Sequence, residues 1–99
     1  MGIYKLSNEA GADLDRIWLR GLKMYGLEQA DKYYNALFDR FSELAETPYL
    51  YQVVDDIRMG YRRSPCGVDS IYYRISGETV EIMNIIGRQD LDRIPSTPI

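Results

Sequence analysis

The sequence contains no histidine. That removes the commonest general base, and with it the serine and cysteine triads that need an imidazole. Cys66 is the only cysteine, so no disulfide can form within the chain. A reducing compartment fits this usage. Cys66 stands between Pro65 and Gly67, and with no imidazole to activate its thiol a nucleophilic role is not expected. A zinc site would need histidine or clustered cysteine, and no glycine-rich phosphate loop is present. No metal and no cofactor are therefore expected. No stretch approaches the ~20 apolar residues of a membrane span. The opening Met1-Gly2-Ile3-Tyr4-Lys5-Leu6 turns polar before any signal-like apolar run develops. No membrane association is expected, and the cytoplasm is the expected location.

Positive charge is also in short supply. Twelve Lys and Arg stand against fifteen Asp and Glu, for a net charge of −3. Proteins that coat nucleic acid are usually basic, so direct sequence-specific DNA binding is not expected. The carboxylates do not assemble a metal or acid–base site either. Asp13 and Asp15 leave a helix in different directions, and Asp55-Asp56 reads as a solvated loop.

What is present is a folding pattern. Ninety-nine residues make one domain spanning 1–99, able to bury roughly 65% of its unfolded surface without staples. Ile3 to Leu6 reads as an opening strand. Ser7 or Asn8 offers an N-cap, with Glu9 in the first turn. Ala10, Leu14, Ile17, Trp18, Leu22 and Tyr25 then recur at helical spacing, predicting a helix from Asn8 to Tyr25 that Gly26 stops. Ala30, Tyr33, Tyr34, Leu37, Phe38, Phe41, Leu44 and Ala45 form a second stripe from Leu27 to Ala45, closed at Thr47-Pro48. Two helices joined at one glycine must double back as a hairpin.

After that the period changes to two. Tyr61 to Ser64 reads as a strand closed by Pro65, with a turn at Cys66-Gly67. Val68 to Ile75 places Ile71, Tyr73 and Ile75 on one face. Thr79 to Ile86 places Val80, Ile82 and Ile86 on one face, and Ser76-Gly77 marks the hairpin between the two. The tail 91–99 carries Pro95 and Pro98 without a period and is expected to be flexible. The order β-α-α-β-β-β predicts an α+β fold, with a helical hairpin on one face of an antiparallel sheet. The other face is expected to stay uncovered, as a docking surface.

Arginine and tyrosine supply the candidate chemistry. Every basic residue after Lys32 is arginine, and nine tyrosines accompany two phenylalanines. Arg58, Arg62, Arg63, Arg74 and Arg88 lie in the same half as Tyr61 and Tyr73. Arginine forks suit carboxylate and phosphate, and arginine with tyrosine is the composition of interface hot spots and of surfaces that stack on single-stranded RNA. Ordinary surface ion pairing and core filling explain such residues equally well one at a time.

The residues in order resemble the ParE branch of the ParE/RelE toxin superfamily. Leu6-Ser7-Asn8-Glu9-Ala10 leading into Ala12-Asp13-Leu14-Asp15-Arg16-Ile17-Trp18 is similar to the family's first helix. Tyr25-Gly26 resembles its end, and Leu44-Ala45-Glu46-Thr47-Pro48 resembles the close of the second helix. Ile57-Arg58-Met59-Gly60-Tyr61-Arg62 through Gly67, then Ile71-Tyr72-Tyr73-Arg74, resembles the family's Leu-Arg-x-Gly-Leu-Arg stretch and its Ile-x-Tyr-Arg strand. Val80-Glu81-Ile82 and Gly87-Arg88-Gln89-Asp90 complete a likeness over about residues 3 to 92. The resemblance implies a toxin without catalysis of its own that poisons DNA gyrase and blocks replication. It also implies neutralisation by a cognate ParD-like antitoxin. Arg58, Tyr61, Arg62, Arg63, Tyr73, Arg74 and Arg88 are then candidates for target contact. Trp18, Leu22, Tyr25 and Leu37 are candidates for antitoxin contact. RelE relatives instead cut mRNA on the ribosome, using basic residues of the sheet and a late tyrosine. Here Arg88 and Arg93 follow the last strand with no tyrosine or lysine, which favours the ParE branch. A ribosome-dependent endoribonuclease is the alternative.

Overall fold

In the computed structural model, residues 2–87 are described. Strand β1 (Ile3–Leu6) leads into helices α1 (Asn8–Tyr25) and α2 (Leu27–Glu46), followed by strands β2 (Arg62–Cys66), β3 (Asp69–Ser76) and β4 (Thr79–Gly87). Ser7 caps α1, its Oγ accepting from the Ala10 amide at 3.0 Å. Gly26 ends α1 with φ 88°, and its amide donates to Leu22 O at 3.1 Å. Both β-hairpins turn on two residues, with Gly67 (φ 62°) and Gly77 (φ 61°) at the first of them. These are left-handed values that favour glycine.

The sheet order is β1-β4-β3-β2. β2, β3 and β4 are antiparallel neighbours, as expected, but β1 joins β4 in parallel, with Ile3 opposite Thr79 and Leu6 opposite Ile82. The sheet is therefore mixed. A strand's composition does not encode the direction in which it docks; the long excursion through the helical hairpin returns the chain on the side that makes β1 and β4 parallel. β2 also starts one residue later than predicted and runs through Pro65 to Cys66. An edge strand tolerates a proline because one row of its amides has no ladder partner.

The helical hairpin covers one sheet face. Ala10, Leu14 and Ile17 from α1 and Leu37, Phe41 and Leu44 from α2 pack on Ile71, Tyr73, Val80, Ile82 and Ile85. Tyr4 and Phe38 close on Phe41 with ring centroids 5.5 and 5.2 Å away.

Two expectations about the other face are corrected. That face is not bare. Tyr61, Tyr72 and Ile86 form a second buried cluster, with Val54, Ile57 and Met83 packed on it. Ile86 was expected to share a face with Val80 and Ile82, and it does not. Tyr72 pairs with Asn84 but Tyr73 pairs with Ile82, so Met83 is an extra residue in β4. A bulge of one residue inverts the parity of the strand beyond it. Ile85 thus faces the helices and Ile86 the opposite cluster.

β1 is too short to cover β4 to its end. The Ser7 amide donates to Ile82 O at 2.9 Å and its Oγ to Met83 O at 2.7 Å. Beyond that, side chains of α1 take over. Asp13 Oδ2 accepts from the Ile85 amide at 2.9 Å, and Arg16 donates to Ile85 O at 2.9 Å. One carboxylate and one guanidinium replace a strand and close an edge that would otherwise invite pairing.

Candidate functional site

Between α2 and β2 the chain crosses the sheet as a folded loop. Val54 N donates to Tyr61 O at 2.7 Å, Arg63 N to Gln52 O at 3.3 Å, and Asp55 Oδ1 accepts from the Gly60 amide at 2.7 Å. This loop brings Arg58 over the Tyr61 ring, 5.5 Å from its centroid. Arg63 stands opposite Tyr72 in register and is exposed. Arg74 stands opposite Glu81, with Nε 2.7 Å from Oε1. That carboxylate hydrogen bond raises the Arg74 pKa further. Tyr72 belongs to the second cluster and Tyr73 to the first, so alternation puts Arg63 and Arg74 on the face away from the helices. Arg58, Arg63 and Arg74 therefore gather around Tyr61.

Arg62 does not join them. It pairs in register with Tyr73, on the helix side. Its guanidinium donates to Tyr51 O at 2.7 Å and lies 5.0 Å from the Tyr49 ring centroid. Tyr73 is itself buried, with its hydroxyl donating to Pro48 O at 2.7 Å. Burial pushes that phenol above its usual range and Arg62 pulls it partly back. Tyr73 therefore offers no surface, and Tyr61 is likewise buried, under Arg58. Arg88 lies outside the described residues. The predicted cluster is thus split by the sheet, three arginines on one side and one on the other.

The helical candidates are also divided. Leu37 is fully buried and lines no groove, because it sits on the inward stripe of α2. Trp18 and Leu22 are half-buried, and Tyr25 is 67% exposed at the hairpin end. Trp18 Nε1 donates to Asp31 Oδ1 at 3.2 Å. Trp18, Leu19 and Asp15 of α1 and Asp31 and Tyr34 of α2 surround a shallow hollow in the seam between the helices. A second hollow lies on the loop, walled by Tyr49, Val53, Asp55, Met59 and Arg62.

The strongest polar feature is one that sequence reasoning missed. Asp69 is buried at the start of β3, and Arg20 grips it with Nη2 at 2.7 Å and Nη1 at 3.3 Å. Tyr33 OH lies 2.8 Å from the same carboxylate and 2.6 Å from Cys66 O, sharing one proton between them. Burial first, then Asp69, holds the Tyr33 phenol well above the ordinary tyrosine range. The signal was available: Asp69 shares strand parity with Ile71, Tyr73 and Ile75, so it points inward, and a buried carboxylate needs partners. Cys66 is buried beside this network, and burial pushes its thiol up. Among the described residues no cluster of His, Cys, Asp or Glu could hold a metal. Among them, too, no helix is long and apolar enough to cross a membrane.

The chain matches the profile of the family described as "ParE toxin of type II toxin-antitoxin system, parDE" over residues 4–93. It is 34% identical over 92 residues to Toxin ParE1 of Mycobacterium tuberculosis, covering 91% of this chain and 94% of that one. It is 39% identical over 83 residues to Toxin ParE1 of Caulobacter vibrioides, covering 84% and 85%. Its fold superposes on a chain of the chromosomal ParDE TA system from P. aeruginosa with a TM-score of 0.77, at 22% identity, over 88% of this chain and 96% of that one. With a family profile matched from β1 past the end of β4 and relatives above 30% identity across most of its length, the chain belongs to the ParE toxin family of type II toxin–antitoxin systems.

Proposed function

We propose that this ParE-family chain acts as a growth-arresting toxin that inhibits DNA gyrase, without catalysis of its own, and that a ParD-like antitoxin neutralises it. Family membership supports the class of activity. The observation that carries the choice of target over ribosomal mRNA is the split of the arginines. A nuclease of the RelE kind would close Arg62 and Arg74 on one phosphate and use Tyr61 or Tyr73 for proton transfer. Here Arg62 and Arg74 stand on opposite faces of the sheet. Tyr73 is buried with its hydroxyl spent on a backbone carbonyl. Arg58, Arg63 and Arg74 instead form a basic face, suited to an acidic protein surface or to the phosphates of DNA held by gyrase.

Supercoiling of a relaxed plasmid by purified gyrase and ATP tests this. The chain is expected to block supercoiling, or to leave linear DNA once trapped complexes are denatured. Arg63→Glu with Arg74→Glu is expected to abolish the effect while the circular dichroism spectrum stays unchanged. Full supercoiling at large excess of the unmodified chain refutes the gyrase reading, and cleaved mRNA in a translation extract would then establish the nuclease. Co-expression of a ParD-like antitoxin is expected to restore growth.

A further inference from the structure

On the face away from the helices, Tyr61, Tyr72 and Ile86 gather into the second cluster. Toward the Ser76–Gly77 turn the same face changes character, and a charged row crosses the sheet. Lys5 of β1 stands opposite Glu81 of β4, and Glu81 stands opposite Arg74 of β3. Their strand neighbours Tyr4, Val80, Ile82, Tyr73 and Ile75 belong to the helix-side core. Alternation therefore turns Lys5, Glu81 and Arg74 outward, onto the face that carries Arg63.

Glu81 thus has a cation on either side, and it pairs with one of them. Arg74 Nε donates to Glu81 Oε1 at 2.7 Å. Lys5 is exposed and makes no ion pair among the described residues. The bond to Glu81 uses the inner edge of the guanidinium. Neither Nη of Arg74 has a partner among the described residues, so the terminal fork stays available for a carboxylate or phosphate. The Arg74 side chain is 47% exposed and that of Glu81 29%. An ion pair so open to water adds little to stability, and its consequence is geometric. An untethered arginine loses rotamer freedom when it binds. Arg74 has given up part of that freedom already. Lys5 and Arg63 keep the surroundings positive, so a single carboxylate does not cancel the face.

We propose that Glu81 is a positioning residue for target contact: it holds the Arg74 guanidinium by Nε and leaves the Nη fork to meet an anionic group of the target. The proposal rests on the reading of this basic face as the one that touches the target. A carboxylate here could otherwise only screen Arg74 and weaken its grip, and the two roles give opposite results.

Glu81→Gln and Glu81→Leu separate them. Both remove the charge, but only glutamine keeps an oxygen that accepts from Nε. Glu81 is partly exposed, so both variants are expected to fold, and Glu81→Ala is a second variant without an acceptor. Urea unfolding is expected to show similar stability for all. In the gyrase supercoiling assay, Glu81→Gln is expected to inhibit at about three- to ten-fold lower concentration than Glu81→Leu, the worth of one side chain ordered in advance. In an Arg74→Ala background that difference is expected to vanish. Equal potency of the glutamine and leucine variants, or a difference that persists without Arg74, overturns the proposal. A chain that inhibits no gyrase at all ends the gyrase reading and leaves this one open to a separate test with inorganic pyrophosphate as the anion. The Arg74 Nε–H resonance, identified by its loss in Arg74→Ala, is then expected to exchange slowly in the unmodified chain and in Glu81→Gln, and rapidly in Glu81→Leu. Pyrophosphate is expected to bind the glutamine variant about three-fold tighter or more than the leucine variant. Rapid exchange in every variant, or equal pyrophosphate affinity, overturns the proposal there as well.

Discussion

The Arg20–Asp69 pair gives a prediction that runs against exposure. The Arg20 side chain is 33% exposed and the Asp69 side chain fully buried, so removing the buried partner would ordinarily be the worse insult. The leftover groups say otherwise. In Asp69→Ala, Arg20 swings into water. Tyr33 still donates to Cys66 O at 2.6 Å. Nothing charged is stranded, and the cost is that of lost charge-assisted bonds, about 2 kcal/mol. In Arg20→Ala, the carboxylate stays buried with only the Tyr33 hydroxyl for company. Removing one partner of a buried pair costs about 3–5 kcal/mol for that reason. Arg20→Ala is therefore expected to be the more damaging, and Asp69→Ala introduced on top of it should restore stability. Urea unfolding followed at Trp18 measures this. For a chain of this size each 1 kcal/mol also moves Tm by roughly 4–8 °C. Asp69→Ala losing as much as Arg20→Ala, or a double variant whose losses simply add, would refute the reasoning.

Three further outcomes follow from the same structure. Gly67→Ala is expected to cost about 2 kcal/mol or more and Gly77→Ala about 1 kcal/mol. Both have positive φ, but only at Gly67 would a Cβ clash with the Tyr33 ring; thermal melts of the pair give the comparison, and equal losses would contradict it. Asp13→Ala is expected to cost about 1–2 kcal/mol and to speed hydrogen exchange at the Ile85 amide selectively; an Ile85 amide as protected as its β4 neighbours would show that α1 does not close that edge. Tyr33 has a folded-state pKa raised above the ordinary 10.0. Its neutral form is what the fold prefers, so its contribution is complete below pH 10 and is lost as pH rises through the folded-state value, by up to about 1.4 kcal/mol per pH unit. Stability measured across alkaline pH should fall less steeply in Tyr33→Phe; an unchanged slope would assign the loss to other groups, such as Tyr73.

The local pattern determined a good deal. Helical spacing, the Ser7 cap and the Gly26 stop located both helices to within a residue, because these signals act within one or two turns of backbone. Gly67 and Gly77 marked the hairpins because only a residue without a side chain enters those turns cheaply. The ordered residues from Leu6 to Asp90 carried the family. Tertiary structure decided the rest. β1 could run either way along β4 until the helical hairpin fixed its return. The unpaired Met83 reversed the parity of β4, which no alternation of apolar residues reveals, and so put Ile86 on the far face. Arg62 and Arg63 are adjacent in sequence and look like one cluster, yet neighbours on a strand point to opposite sides, so the sheet divides the arginines. Leu37 and Tyr73, which lie on apolar stripes and are candidates for partner contact by sequence, are both fully buried, because burial depends on what packs across from a side chain. Asp69 found Arg20 and Tyr33 from 49 and 36 residues away. Bringing such distant groups together is the work of the folded chain, since charge and hydrogen bonding choose partners by distance in space.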